Sequence, residues 1–153
     1  MGKYSEKLAE LGIELPEVAA PVAAYVPAIK VGNLVYTSGQ LPFVNGELPA
    51  LGHVGAEVDA ETAKDLARTA TLNALAAVDA LVGIDNVVQV VKVGGFVASA
   101  AGFSGQPGVV NGASELLGEV FGDAGAHARA AVGVAELPLN APVEIEITVQ
   151  VEV

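Results

Sequence analysis

The sequence predicts an α+β fold, a mixed open sheet with two main helices packed on one face. Three stretches carry this reading. Residues 143–153 alternate strictly: Val143, Ile145, Ile147, Val149, Val151 and Val153 share one face, and Glu144, Glu146, Thr148, Gln150 and Glu152 share the other. Residues 60–82 place Ala63, Leu66, Ala67, Ala70, Ala74, Ala77, Val78 and Leu81 at helical spacing, with Asp59 as N-cap and Gly83 as the stop. Residues 87–97 are apolar on nearly both faces, which predicts a strand covered on both sides.

The remaining elements follow in order. Residues 3–12 read as a short amphipathic helix on Leu8 and Leu11, stopped by Gly12. A Pro- and Ala-rich stretch from Pro16 to Pro27 leads into a hairpin, Val26–Val31 and Leu34–Ser38, turning at Gly32-Asn33. Residues 40–55 hold Pro42, Asn45-Gly46, Pro49 and Gly52, so they form a loop or a second small hairpin. Residues 98–108 read as a Gly/Ser loop, and Val109–Phe121 as a second helix with Val110, Leu116, Leu117 and Val120 inward. Ala126–Leu137 is expected to be a strand, and Pro138 to Pro142 a turn before the last strand.

A length of 153 residues suits a single domain with its own core, and 52% hydrophobic against 16% charged residues excludes disorder. With no cysteine, disulfides, thiolate nucleophiles, Fe–S clusters and Cys-type zinc sites are excluded, and two histidines cannot build a His-rich metal centre. The net charge is −11, and the seven cations are scattered (Lys3, Lys7, Lys30, Lys64, Arg68, Lys92, Arg129), so nothing resembles a basic nucleic-acid footprint. No apolar run is long enough for a membrane span and no leader resembles a signal peptide; a cytoplasmic location is the expectation. The glycines at 94–95 and 102–108 match neither a Walker loop nor a dinucleotide fingerprint.

Several blocks together resemble one family. They are Gly32-Asn33-Leu34-Val35-Tyr36-Thr37-Ser38-Gly39-Gln40-Leu41-Pro42, the helix with Ala74 to Leu81, Val110-Asn111, and Ala128-Arg129-Ala130-Ala131-Val132 followed by Leu137-Pro138 and Val143-Glu144-Ile145-Glu146. In this order they are similar to the Rid (reactive intermediate deaminase) or YjgF-like family, over about residues 20–153. The resemblance implies a chorismate-mutase-like fold in a homotrimer, with a central barrel of sheets, helices outside and a ligand cleft at each subunit interface. It implies hydrolysis of enamines and imines of the 2-aminoacrylate and 2-iminopropanoate type to a 2-keto acid and ammonia, with no metal or organic cofactor. It makes Arg129 the carboxylate-binding residue and Glu144 the conserved acid. Ser38, Tyr25 and, with a one-residue spacing difference, Asn111 become site residues. Two positions depart from the pattern: Ala131 stands where many members have Cys, and Ala23-Ala24 where Gly-Pro is usual. They mark a divergent subgroup, with residues 1–20 as an N-terminal extension and 21–153 as the common core.

The residues support readings of their own. Arg129 is the only cation after residue 93. Period two puts His127, Arg129, Ala131 and Gly133 on one face, so small neighbours leave room beside a guanidinium whose planar fork fits a carboxylate. The alternative is a salt bridge to Glu136, Glu144 or Glu146. Glu144 is either one polar residue on a solvated face or a general acid/base whose pKa is raised by Glu146, ~6.6 Å along the strand. Ser38 either orients substrate or water, or caps the turn. Tyr25 either walls the cleft or packs, and Asn111 either touches ligand or caps the second helix. His127 either lines the site beside Arg129 or does not, and His53 is expected to be merely exposed. Phe96 and Phe103 either edge the cleft or pack in the core. The competing functions are a non-catalytic carboxylate sensor or storage module, an endoribonuclease or translation inhibitor, as the family's older labels have it, and, by fold analogy alone, a chorismate-mutase-type activity.

Overall fold

The computed structural model describes residues 2–21 and 24–153; Met1, Val22 and Ala23 lie outside it, and with Ala23 half of the Ala23-Ala24 departure. The elements are α1 (Lys3–Glu10), β1 (Ala28–Val31), β2 (Leu34–Thr37), α2 (Ala60–Val82), β3 (Val87–Ala98), α3 (Gln106–Phe121), β4 (Ala128–Val134) and β5 (Val143–Val151), with short 3-10 turns before β3, before β4 and before β5. One sheet runs in the order β1-β2-β5-β3-β4. Only β3 and β4 are parallel, joined by α3 as a crossover; the other neighbours are antiparallel.

Asp59 opens α2 as expected, accepting from the Thr62 N–H at 2.7 Å, and Gly83 ends it with φ 85°. The alanine face of α2 lies flat against β5 and α3, with Ala63, Ala67, Ala70 and Ala74 fully buried. A side chain at Gly112 would drive its Cβ into the Lys64 carbonyl, so α2 and α3 meet backbone to backbone there. Leu75, Leu116, Leu117, Ile145 and Ile147 form the centre of the core between these helices and the sheet. Truncating one of these leucines to alanine would cost about 2–5 kcal/mol.

Helix α1 is capped from a distant part of the chain. The Asp85 carboxylate accepts from the Tyr4 and Ser5 N–H groups at 2.7 and 2.9 Å and from the Ser5 hydroxyl at 2.6 Å. Tyr4 meets Phe121 edge to face, centroids 4.7 Å apart, which seats α1 on the end of α3.

Some boundaries differ from the sequence expectation. Helix α3 begins at Gln106 rather than Val109, because Pro107 is tolerated in a first turn. Strand β4 stops at Val134 rather than Leu137. Strand β5 stops at Val151, which pairs with Val87, the first residue of β3; Val153 has no strand beside it and is exposed. Leu81, placed on the inward stripe of α2, is 45% exposed in the last turn. Residues 44–47 form the small hairpin, turning on Asn45 and Gly46, both with positive φ.

No described element covers the face away from the helices. That face carries Ile29, Tyr36, Phe96 and Val132 together with Glu144, Glu146 and Thr148, and Ile29 and Val132 are 54% and 44% exposed. Among the described residues no helix is long and apolar enough to cross a membrane.

Candidate functional site

Two clusters form, one on each side of the sheet. The first lines a cavity of about 380 Å³ whose walls include Tyr25, Ser38, Gln40, Phe43, Pro138 and Glu144. Gln40 makes a two-way bridge to β5, its N–H on the Ile145 carbonyl at 2.8 Å and its own carbonyl accepting from the Ile145 N–H at 3.0 Å. That bridge lays Gly39 against Glu144, where a Cβ at position 39 would overlap the carboxylate. Glu144 is half-buried, and no described residue hydrogen-bonds or ion-pairs its carboxylate. Burial first, and the charge of Glu146 second, push its carboxyl above the usual range. Ser38 donates its hydroxyl proton to the Val26 carbonyl at 2.6 Å, so the oxygen faces the cavity as an acceptor only. Tyr25 is exposed on the same wall.

The second cluster surrounds Arg129. Its Nη1 donates to Asn111 Oδ1 at 2.8 Å and to Ser114 Oγ at 3.2 Å, and its Nη2 to the Pro107 carbonyl at 3.4 Å. All three partners are uncharged. Among the described residues no carboxylate forms an ion pair with Arg129; Glu136, one alternative partner, instead lies 3.0 Å from His53. Five N–H groups minus these three bonds leaves the Nε–H and one Nη2–H unspent. Asn111 sits inside α3, not at its cap. The His127 Nε2 meets Ser114 Oγ at 2.8 Å and its Nδ1 meets the Gly125 carbonyl at 2.6 Å. Ala131 follows Arg129 on the same face, half-buried against the core.

Strand register decides how the clusters relate. Val93 pairs with Arg129 on one side and Ile147 on the other, so Arg129 is on the helix-covered face. Phe96 pairs with Val132 and Glu144, so Glu144 is on the uncovered face. One chain therefore does not bring Arg129 and Glu144 together.

His53 is more than exposed. Its Nε2 lies 2.8 Å from the Ala135 carbonyl and 3.0 Å from Glu136, and its Nδ1 3.5 Å from Glu57. The Ala135 hydrogen bond, ahead of the two carboxylates, raises its pKa. Phe103 packs against the core, and Phe96 lies beside Glu144 across the strands. Sequence reasoning missed Gly39, Gln40 and Ser114. Ser114 had a signal: it lies three residues after Asn111, hence on the same helix face.

Over residues 5–150 the chain matches the family described as "YjgF/chorismate_mutase-like, putative endoribonuclease". It belongs to the Rid/YjgF-like family. This Rid-family chain is 40% identical over 151 residues to "Protein TCP17" of Trypanosoma cruzi, covering 97% of this chain and 94% of that protein. It is 34% identical over 141 residues to a "2-iminobutanoate/2-iminopropanoate deaminase" of Dermatophagoides farinae, covering 92% and 95%. The crystal structure of Atu1372 from Agrobacterium tumefaciens, of unknown function, superposes with a TM-score of 0.89 at 43% identity, covering 99% of this chain and 93% of that one. The chorismate-mutase-like fold read from the sequence is thus the fold of this Rid-family member.

Proposed function

We propose that this Rid-family chain is a hydrolytic deaminase of 2-imino acids, working as a homotrimer with its clefts between subunits. The carrying observation is the Arg129 guanidinium, held by neutral acceptors alone with two N–H groups and its full charge unspent. That is the arrangement a carboxylate completes. The name of the Dermatophagoides farinae relative supports the same chemistry.

The reaction follows from the two clusters. Arg129 grips the substrate carboxylate and fixes the C=N carbon for attack. Glu144, its pKa raised, takes a proton from the attacking water and delivers it to nitrogen. Water adds across C=N to give a carbinolamine; the C–N bond then breaks, ammonia leaves and the 2-keto acid remains. An enamine such as 2-aminoacrylate enters by taking a proton at its terminal carbon. The Ser38 oxygen, an acceptor only, receives an N–H of the substrate.

The opposite faces of Arg129 and Glu144 support a site completed by a neighbouring chain, and the uncovered apolar face supports the association. A coupled assay of ammonia release from freshly generated 2-aminoacrylate tests the reading. Release by the wild type, lost in Arg129→Ala and Glu144→Gln, is expected. Tight binding of a keto acid without release would establish the second reading, a carboxylate-binding module, which Ala131 in place of the family's Cys favours. RNA cleavage has little to recruit it: Lys7, Lys64 and Arg68 already face carboxylates at 3.8, 3.2 and 3.1 Å.

A further inference from the structure

Beyond the ligand-contacting groups, the geometry points to Ser114 and His127 as positioning residues that aim Arg129 through a directed chain of hydrogen bonds. The inference rests on the carboxylate-binding reading of Arg129 for its functional meaning, though not for its existence.

The chain can be followed atom by atom. The Gly125 carbonyl can only accept, so the His127 Nδ1, 2.6 Å away, carries a hydrogen. In the neutral ring Nε2 is then an acceptor, and the Ser114 hydroxyl, 2.8 Å away, donates to it. With its proton spent there, Ser114 Oγ offers lone pairs to Arg129 Nη1 at 3.2 Å. Each link sets the direction of the next. The hydroxyl is not free to rotate its proton towards the guanidinium.

Without Ser114 the guanidinium would keep only the long Nη2–Pro107 bond at 3.4 Å and, at Nη1, a single bond to Asn111. Ser114 supplies the second. The two Nη1 hydrogens are then both engaged, and the unspent Nε–H and Nη2–H are held in one direction. A long arginine side chain loses rotamer freedom when it binds, so one already fixed binds its anion more tightly. His127 is thus not a ligand contact: both its nitrogens are engaged within the protein.

The test uses the intact protein with 2-oxobutanoate as probe. Ser114→Ala and His127→Phe should each weaken its binding roughly tenfold, the scale of one hydrogen bond to a charged group. The double variant should be no weaker than either single, because the two act in series. His127→Gln, which restores an acceptor for Ser114, should recover much of the loss. Unchanged affinity in the single variants, or losses that multiply in the double, would overturn the inference. Ring 15N shifts provide a readout without ligand: the Nδ1–H tautomer of His127, and an Arg129 Nε–H signal that broadens in Ser114→Ala. If the wild type binds no keto acid, the reading of Arg129 as a carboxylate site fails, and these shifts alone decide the chain. An Nε2–H tautomer, or an Arg129 signal indifferent to Ser114, refutes it.

Discussion

Arg129 and Glu144 project from opposite faces of one sheet, because β3 pairs Val93 with Arg129 and Phe96 with Glu144, and these two β3 residues are three apart. A small substrate cannot touch both within a single chain. If two chains build each site, Arg129→Ala and Glu144→Gln subunits, inactive alone, should complement when refolded together. Random mixing in equal amounts restores about a quarter of the sites, each drawing one intact residue from each kind of chain. Ammonia release from the mixture checks this; none above the separate variants would place the whole site in one chain.

Gly39 is the position that admits the Glu144 carboxylate. Its φ is not in the left-handed region, so Gly39→Ala leaves the backbone unstrained and acts only by pushing the carboxylate aside. Turnover should drop roughly ten- to a hundredfold, as displacements near 1 Å do, with little change in melting temperature. In a Glu144→Ala background the same substitution should do nothing further.

The raised carboxyl of Glu144 has a stability consequence of definite sign. At low pH the group is protonated in both folded and unfolded chains and takes nothing from stability. As pH rises through the unfolded value of 4.5 towards the higher folded one, the unfolded chain releases its proton first, and folding weakens. Glu144→Gln removes this burden. It should raise the melting temperature at pH 7 and leave it unchanged below about pH 4, in scanning calorimetry. Glu146→Gln should bring the ionisation of Glu144 back towards ordinary values without abolishing it.

Asp85 behaves in the opposite sense. Burial opposes its ionisation, but hydrogen bonds from Ser5, Tyr4 and Gly2 outweigh it and hold the carboxyl below its usual 3.8. Its contribution is complete above that value and lost as pH falls through the folded pKa. Asp85→Ala should strip amide protection from residues 3–10 at neutral pH, at about 1 kcal/mol, and acid should do the same to the wild type. Hydrogen exchange that leaves α1 protected would show that the Tyr4–Phe121 contact alone seats it.

What was legible in the chain was what periodicity encodes. The eight main elements and their order follow from alternation in β5, the alanine stripe of α2 and the glycine stops. Boundaries slipped where local chemistry competed with pattern, as at Pro107, or where a partner strand ended, as at Val151. Arg129, Glu144 and Ser38 stood out by rarity or motif. Their division between two faces did not, because it depends on register across β3, which no single segment contains. Asp85 was silent because a cap supplied by a residue about 80 positions away leaves no mark beside the helix it caps.

The backbone contact at Gly112 reaches further than packing. Gly112 stands between Asn111 and Ser114 in sequence, and its touch on the Lys64 carbonyl indexes α3 along α2 like a pin in a slot. Any lengthening of that pin by a β-carbon slides both side-chain anchors of the guanidinium at once. The aim of Arg129 is therefore hostage to a junction between two helices that no metabolite ever meets.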